Sequence, residues 1–346
     1  MKIAIHHTED TFSERWIEYC QQNRINYKLV NCYGNDIIEQ INDCDALMWN
    51  HHQSEYKDVL FAKQLLFSVE FSGKKVFPDF NTNWHFDDKI GQKYLLEIMG
   101  IPFIPTYVFY TKKEAMDWIK SASFPKVFKL RGGAGSNHVK LARTKNDAIK
   151  FTKKAFGSGF SQFDRWGYLN DKIMKVKGGQ ETWKGILKGI ARLFIPTEFA
   201  KMRGREKGYV YFQDFIPNNN YDTRVVVVGN KAFGFKRMTR KNDFRASGSQ
   251  NYHFEKKGVD ERCVQIALEV NKKLKSQSTY YDFVFDATNT PLIIEISYTS
   301  LVHPYDNCPG YWDDSLNFHE REFNPQYWHM ENIIATIKEE RLVRSI

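Results

Sequence analysis

The sequence predicts an α/β protein: a parallel sheet with helices comes first, and segments of mixed strands and helices follow. Three observations predict this class. Short apolar strands alternate with helices up to about residue 85, the pattern of a parallel sheet. Strands joined by tight turns follow residue 206, and such turns are typical of antiparallel pairs. The 346 residues suffice for two or three packed units.

The N-terminal α/β unit is predicted at residues 1–85. Its strands are short and apolar, and its helices carry apolar residues on one face. In chain order the elements are strand Lys2–Ile5, helix Ser13–Arg24, strand Tyr27–Val30, helix Asp36–Ile41, strand Ala46–Trp49, helix Ser54–Phe71 and strand Lys75–Phe77.

Three further segments follow. The first predicted element in residues 86–155 is a helix from Asp87 to Gly100, which begins with acidic residues and ends with a glycine. Residues 156–206 are basic and aromatic, show no clear strand and are interpreted as an insertion. In residues 86–155 the other predicted elements are strands Val108–Tyr110 and Lys126–Leu130 and helix Lys112–Lys120. In residues 207–346 the predicted strands are Tyr209–Gln213, Thr223–Val228, Lys231–Lys236, Tyr280–Asp286 and Pro291–Ser297, and the predicted helices are Asp260–Leu274 and Tyr327–Arg341. A two-residue hairpin turn is predicted at Gly229-Asn230.

Composition excludes several classes of protein. The chain is 42% hydrophobic and 26% charged, as in an ordinary globular protein. Its five cysteines are odd in number and lack CxxC spacing, which argues against a disulfide framework and a zinc site. No apolar run reaches the ~18 residues of a membrane span, and the first residues predict a strand, so we expect a cytoplasmic protein. The net charge of +9 favours an anionic partner of unspecified kind.

A basic strand leads into a glycine-rich turn at residues 124–136. Side chains alternate along a strand, so Lys129 lies on the face opposite Phe128 and Leu130. The glycines allow backbone amides to approach phosphate oxygens closely. A lysine beside such a turn predicts a phosphate cradle, and a plain turn with a solvated lysine is the alternative. No Gly-Lys-Ser/Thr follows, so this is not a Walker A loop.

Two acidic residues are predicted to face each other on the last hairpin. If its turn is 287–290, Asp286 pairs with Pro291 and Asp282 lies opposite Glu295, with Cβ atoms ~4.5–5.5 Å apart. Facing carboxylates repel unless a cation lies between them, and oxygen ligands suit Mg²⁺. The alternative is an exposed hairpin with solvated acids.

The same register assigns the neighbouring residues to faces. Ser297 and Ile293 share the face of the acids. Ile294 falls on the opposite face, which is wholly apolar and therefore predicted to be buried.

Three arginines, Arg224, Arg237 and Arg245, lie on or beside neighbouring strands, with Asp222 and Asp243 nearby. Arginine grips phosphate or carboxylate through two N–H groups, so this set fits a phosphoryl group in transfer. A surface ion-pair network is the alternative. No convincing Ser/His/Asp or Cys/His arrangement supplies a nucleophile.

Taken in order, these segments resemble the ATP-grasp superfamily, most closely its ribosomal-protein-modifying glutamate ligases. The resemblance extends from about Asp87 to Ser300. It is carried by Asp88-Lys89, Phe124-Pro125…Lys129, Gln213-Asp214-Phe215-Ile216, Asp222-Thr223-Arg224, Asp243-Phe244-Arg245 and Asp282…Glu295-Ile296-Ser297. It implies two α+β subdomains, residues 86–155 and 207–346, that grip ATP between them.

The resemblance also implies a role for each residue. ATP and Mg²⁺, or Mn²⁺ in its place, are the implied cofactors. Arg237 and Arg245 are implied to be the catalytic cations on the γ-phosphate and acyl phosphate. The implied ATP-binding residues are Lys89 and Lys129 on the phosphates, Gln213, Asp214, Phe215 and Ile216 at the adenine, and Arg224. The implied metal ligands are Asp282, Glu295 and Ser297, the last standing where the family usually has Asn.

The reaction implied is amide formation through an acyl phosphate, with ADP and phosphate released. A kinase or a nucleotide-binding regulator on the same fold is one alternative. A nucleic-acid-binding protein is another, less favoured because it leaves the facing acids unexplained.

The expected partners are an amine and an acid, either a small molecule or lipid-linked. Some similar proteins are associated with bacterial surface polysaccharides, which suggests an acidic sugar. Residues 181–194 carry Trp183, Ile186, Leu187, Ile190 and Phe194 at helical spacing among basic residues. Residues 172–194 are therefore a candidate for a lid over the site or for contact with the inner face of a membrane. The alternative is a helix that packs this apolar stripe on the core. The oligomeric state is not predicted.

Overall fold

The computed structural model describes residues 1–133, 138–161, 165–177, 182–195, 198–240, 243–300 and 302–344. The predicted glycine-rich turn lies outside these residues from Ala134 to Asn137, as does Glu181 at the predicted start of the basic helix. Within the described part, no helix combines the length and apolar character needed to cross a membrane.

The N-terminal unit is built on a parallel sheet, as predicted. Its elements are β1 Lys2–His6, α1 Phe12–Gln22, β2 Asn26–Val30, α2 Ile37–Gln40, β3 Ala46–Trp49, α3 Tyr56–Phe71, β4 Lys75–Phe77 and α4 Phe80–Asn83. The strand order is β2-β1-β3-β4, and all pairs are parallel. Helices cover both faces of such a sheet, which is why β1 and β3 are runs of buried residues.

A second, antiparallel sheet follows. The next elements are α5 Lys89–Ile98, β5 Thr106–Phe109, α6 Lys112–Ser121, β6 Lys126–Lys129, β7 Lys140–Ala142 and α7 Lys145–Ala155. Asp88 caps α5 by accepting hydrogen bonds from the N–H groups of Ile90 and Gly91 at 3.1 and 3.0 Å, which confirms the predicted acidic start.

The predicted insertion contains helices closed by a short strand pair. Its elements are β8 Phe160–Ser161, α8 Arg165–Lys177, α9 Lys184–Phe194, α10 Glu198–Arg203 and β9 Arg205–Glu206. β8 pairs antiparallel with β9. The expectation of no strand is therefore wrong here, because strands of two residues are too short to show an alternating pattern.

β10, Val210–Asp214, returns to the second sheet and gives it the order β5-β10-β6-β7. The chain thus crosses the predicted boundary at residue 206 and completes a sheet that began before it. The proposed boundaries at residues 85, 155 and 206 stay predictions.

The third sheet is antiparallel and carries the last hairpin. Its strands are β11 Tyr221–Val228, β12 Lys231–Met238, β13 Tyr252–His253, β14 Ser278–Phe285, β15 Pro291–Ser297, β16 Tyr311–Trp312 and β17 Phe318–His319. The helices in this part of the chain are α11 Glu261–Leu274 and α12 Pro325–Arg344, and 3₁₀ turns occur at Lys256–Gly258 and His303–Asn307. The strand order is β15-β14-β11-β12-β16-β17, and β13 pairs with β12. Gly229, at a φ of +60°, turns the chain between β11 and β12 as predicted.

Alternate valines of β11 belong to two different cores. Val226 and Val228 pack in a core shared with α12 and the N-terminal unit. Val225 and Val227 pack in a core shared with α11. Because both faces of this half of the strand are covered, Val225–Val228 is a continuous apolar run.

Candidate active site

One cavity of about 780 Å³ brings together the residues singled out from the sequence. It is lined by Lys89, Lys129, Gln213, Asp214, Phe215, Ile216, Arg224, Arg237, Arg245, Asp282, Glu295 and Ser297. The second and third sheets and the N-terminal unit all contribute to its wall. The roles assigned to these residues stay predictions.

Two buried lysines line the cavity together with Glu295. Lys89 Nζ lies 2.9 Å from Glu295 Oε1 and donates to the carbonyl oxygen of Gly133 at 2.8 Å. Burial lowers the pKa of Lys129 to about 8; the charge of Glu295 opposes this and that of Lys89 adds to it. Among the residues that the structure describes, Lys129 has no ion-pair partner. It is therefore a cation positioned to receive an anion from outside.

The start of α5 places Lys89 at this position. The side chain of Gln92 donates to the carbonyl oxygen of Ile296 at 2.8 Å and accepts from its N–H at 3.3 Å. These bonds hold α5 beside β15 and so hold Lys89 beside Glu295.

Asp87 anchors the beginning of the glycine-rich turn, a role that the sequence did not predict. Its carboxylate accepts from the N–H of Gly133 at 2.6 Å. A Cβ on Gly132 would lie 2.9 Å from Asp87 Oδ2, so a larger residue at this position would have to displace this carboxylate. The only signal in the sequence was an acidic residue next to the helix cap.

The last hairpin confirms the pairing of Asp282 with Glu295 but not the register from which it was predicted. Phe285, and not Asp286, pairs with Pro291. The register shifts between Asp282 and Phe283, and this irregularity restores the pairing of the two acids.

Asp286 leaves the strand because its carboxylate organises the loop. Its Oδ1 accepts from the N–H groups of Thr288 and Thr290 at 2.8 and 2.9 Å. The same irregularity exchanges two predicted faces. Ile293 is fully buried in the core, whereas Ile294 lines the cavity.

Two arginines bind Asp282. Arg224 donates to it from Nε and Nη2 at 2.7 and 2.9 Å, and Arg237 Nη2 lies 2.6 Å from it. Arg237 also donates twice to Asp222, at 2.7 and 2.6 Å. Burial alone would raise the pKa of Asp282, but the arginines hold it well below its usual range.

Asp222 is a second residue missed as a site residue. Burial raises the pKa of its carboxyl group despite the charge of Arg237. Its position two residues before Arg224 puts both on one face of β11, and that spacing was the available signal. Arg245 lines the cavity from the segment after β12 and donates to Asp243, with Nη2 to Oδ2 at 2.6 Å.

Asp282 and Glu295 could hold a metal ion only if oxygen atoms of a bound molecule, such as phosphate oxygens, complete its coordination. Both oxygens of Asp282 accept from arginines, and Ser297 Oγ donates to the carbonyl oxygen of Thr299 at 2.9 Å. No cluster of three or more Asp, Glu, His or Cys side chains suited to a metal occurs in the described part of the chain. Glu295, which has one lysine partner, is the carboxylate best placed to take Mg²⁺ together with phosphate oxygens.

The end of β10 forms another part of the cavity wall. The side chain of Gln213 donates to Thr106 Oγ1 at 3.2 Å, and Asp214 pairs with Lys126 at 2.5 Å. The strand ends at Asp214, so the backbone groups of Phe215 and Ile216 lie beyond its ladder. The carbonyl oxygen of Ile216 accepts from Asn219 Nδ2 at 3.5 Å, and the N–H groups of Phe215 and Ile216 have no partner among the described residues and could bind a planar, hydrogen-bonding ring.

The loop after β3 also reaches the cavity. His52, Gln53 and Ser54 line it, and the buried Asp58 accepts from the N–H of His52 at 2.7 Å. His51 instead is buried against Asn83, with 2.8 Å between Nε2 and Oδ1. Loops at the carboxyl ends of parallel strands commonly meet ligands, and that rule could have identified this one.

Comparisons with known proteins agree with this geometry. Residues 200–303 match the family described as the RimK-like ATP-grasp domain. A search of curated protein sequences finds no match.

Solved structures share the fold over nearly the whole chain. The biotin carboxylase domain of Hydrogenobacter thermophilus 2-oxoglutarate carboxylase, solved with MgADP and bicarbonate, has a TM-score of 0.58 and 11% identity, over 96% of this chain and 69% of that one. D-alanine–D-alanine ligase from Bacillus anthracis, complexed with ATP, has a TM-score of 0.57 and 14% identity, over 98% and 99%. N5-carboxyaminoimidazole ribonucleotide synthetase from Thermotoga maritima has a TM-score of 0.57 and 14% identity, over 96% and 75%. The chain therefore has the ATP-grasp fold, and residues 200–303 match its RimK-like domain.

Proposed function

We propose that this chain is an ATP- and Mg²⁺-dependent ligase that joins a carboxylate to an amine. The observation that carries the proposal is Lys129: a buried ammonium group without an ion-pair partner among the described residues, facing a large cavity. A buried charge is costly unless it is paired. A nucleotide phosphate supplies the missing partner.

The other walls fit the rest of a nucleotide and its metal. Lys89 and Lys129 bind the phosphates, and the backbone of Phe215 and Ile216 meets the adenine. Glu295, with Asp282 as second ligand, would hold Mg²⁺, which neutralises phosphate charge when bound. Arg237 and Arg245 stabilise the phosphoryl group in transfer, and Arg224 supports them through Asp282.

The reaction requires no nucleophile from the protein. The substrate carboxylate attacks the γ-phosphorus of ATP and gives an acyl phosphate and ADP. The amine then attacks the acyl carbon, expels phosphate and loses a proton. The protein contributes positioning and charge stabilisation.

The acid is a small molecule or a lipid-linked one, and an acidic sugar or an amino acid is our hypothesis. The loop at His52, Gln53 and Ser54 supports a substrate that reaches the N-terminal unit, because these residues line the cavity. A surface-polysaccharide role rests on the sequence resemblance alone.

The test is ADP release, measured with ATP and Mg²⁺ against a panel of acids and amines. Release that requires both partners, with an amide detected by mass spectrometry, is the expected result. Release with an acid alone, leaving a stable phosphorylated product, would identify a kinase. A protein that binds ATP but releases no ADP with any pair would be a regulator.

A further inference from the structure

Helix α9 buries its two glycines and exposes three large apolar side chains, whereas Ile186 and Leu193 are half-buried. Trp183, at the start of the helix, and Leu187 and Ile190 lie along one face and are 63%, 53% and 42% exposed. Gly185 and Gly189 are buried on another side. The alternative expectation, that this apolar stripe packs on the core, is wrong for these three residues.

The glycines explain this orientation. A Cβ on Gly189 would lie 2.8 Å from Leu169 Cδ1 and 3.3 Å from Leu169 Cα. Helices α8 and α9 therefore approach closely through the glycine side of α9. Since that side is occupied by α8, Trp183, Leu187 and Ile190 are left facing outward.

Positive charge surrounds the exposed stripe. From Thr182 to Ile195 the chain has three basic residues and no acidic one. Lys184 and Lys188 are exposed. Each comes directly after a residue of the stripe, Trp183 or Leu187, and therefore lies about 100° from it around the helix axis. Residues 165–206 contain ten basic and four acidic residues, which gives +6 of the chain's net charge of +9.

We infer that this face of α9, here called the α9 surface (Trp183, Lys184, Leu187, Lys188 and Ile190), docks on an anionic lipid surface. An apolar stripe beside cations is the arrangement of helices that lie in the plane of a bilayer interface. Tryptophan is favoured at the headgroup level, and lysine stems extend along apolar surface while their charges reach the headgroups.

Charge favours an anionic lipid surface over a second copy of the chain or another protein as the partner of the α9 surface. A second copy would place two strongly basic segments against each other. The buried centres of protein interfaces are depleted in lysine, whereas this stripe is bordered by it. The inference is independent of the proposed reaction.

Helix contacts connect the segment that carries the α9 surface with the element that follows the cavity loop. Helix α10, which follows α9, contacts α3, and α3 begins just after the cavity loop His52–Ser54.

The test is co-sedimentation of the full-length protein with vesicles, without nucleotide. We expect binding to vesicles of phosphatidylcholine with phosphatidylglycerol, and little binding to phosphatidylcholine alone. The double variant L187Q/I190Q should lower the partition coefficient at least about tenfold. The double variant K184Q/K188Q should lower binding to the anionic vesicles by about tenfold or more.

The matched control is Phe71→Gln, which removes an apolar side chain that is 96% exposed on α3, outside the α9 surface. It should bind vesicles as the wild type does, and thermal unfolding should show all variants folded. Absence of binding to anionic vesicles, or unchanged binding by L187Q/I190Q, would overturn the inference. A wild-type dimer in light scattering that L187Q/I190Q dissociates would assign the face to a second copy instead.

Discussion

Asp282 and Glu295 lie opposite each other on β14 and β15, yet different parts of the molecule bind their carboxylates. Asp282 accepts from arginines of the third sheet itself. Glu295 pairs with Lys89, which belongs to α5 and precedes the second sheet. The second ion pair therefore joins two walls of the cavity. A phosphate that binds Lys89 would leave Glu295 free to bind a cation.

Glu295→Gln tests whether Glu295 binds a cation when a phosphate takes its partner Lys89. We expect ADP release in the presence of acid and amine to fall by at least about a hundredfold, because the amide cannot replace the carboxylate at the metal. The matched control is Glu97→Gln, which changes an exposed glutamate on α5 paired with Lys93. Circular dichroism should show both variants folded. A wild-type rate for Glu295→Gln would remove the metal assignment.

The affinity for ATP should depend on pH through Lys129. Its pKa is lowered to about 8 by burial, so the free protein carries this charge below pH 8 and loses it above. Phosphate needs the charged form, so affinity falls as the pH rises. From pH 7.5 to pH 9 the dissociation constant should increase about tenfold, and the proton uptake on binding should rise from a small fraction of a proton to nearly one.

Calorimetric titration in buffers of different ionisation enthalpy measures both quantities. Lys129→Arg is the control variant, because arginine stays charged throughout this range and should flatten the profile. An affinity independent of pH in the wild type would contradict the lowered pKa of Lys129, and an unchanged profile in Lys129→Arg would assign the pH dependence to another group.

Arg237 and Arg245 should differ in their effect on stability. Arg237→Met leaves the buried carboxylates of Asp222 and Asp282 short of a partner, and should lower the free energy of unfolding by about 3–5 kcal/mol. Arg245→Met affects a more exposed residue that pairs with nearby Asp243, and should cost less than about 1 kcal/mol.

Urea denaturation measures these two costs, and ADP release should be slowed in both variants. Equal stability of Arg237→Met and Arg245→Met would contradict the buried network. Full activity of either variant would remove that arginine from the phosphoryl site.

Asp87→Ala should weaken ATP binding by about tenfold, because Gly133 loses the acceptor that holds the start of the glycine-rich turn. Asp87→Asn keeps an acceptor oxygen, and asparagine tolerates the φ of +54° at this position, so it should restore most of the affinity. Calorimetric titration with ATP is the measurement.

Asp88→Ala is the matched control for Asp87. It removes the cap of α5 and should cost about 1 kcal/mol of stability with little change in ATP affinity. If Asp87→Asn binds ATP as weakly as Asp87→Ala, Asp87 does not act through its hydrogen bond.

Sequence patterns predicted the elements because the patterns are local. Alternation of apolar residues identified β14 and β15, and the turn at Gly229 identified the β11–β12 hairpin. The paired acids were also predicted, although through a wrong register. The irregular pairing depends on the carboxylate of Asp286, which organises the loop. It also depends on Ile293, whose N–H donates to the carbonyl oxygen of Pro102 and whose carbonyl oxygen accepts from the N–H of Ile104, both far away in the chain.

The order of charged and glycine residues along the chain by itself determined which side chains we propose as nucleotide ligands. The tertiary structure alone decided that Lys129 has no ion-pair partner among the described residues, whereas Lys89, Arg224 and Arg237 do. It also decided that α9 turns its glycines inward. The physical reason is that pairing and burial depend on contacts between distant segments, whereas periodicity records only a residue's near neighbours.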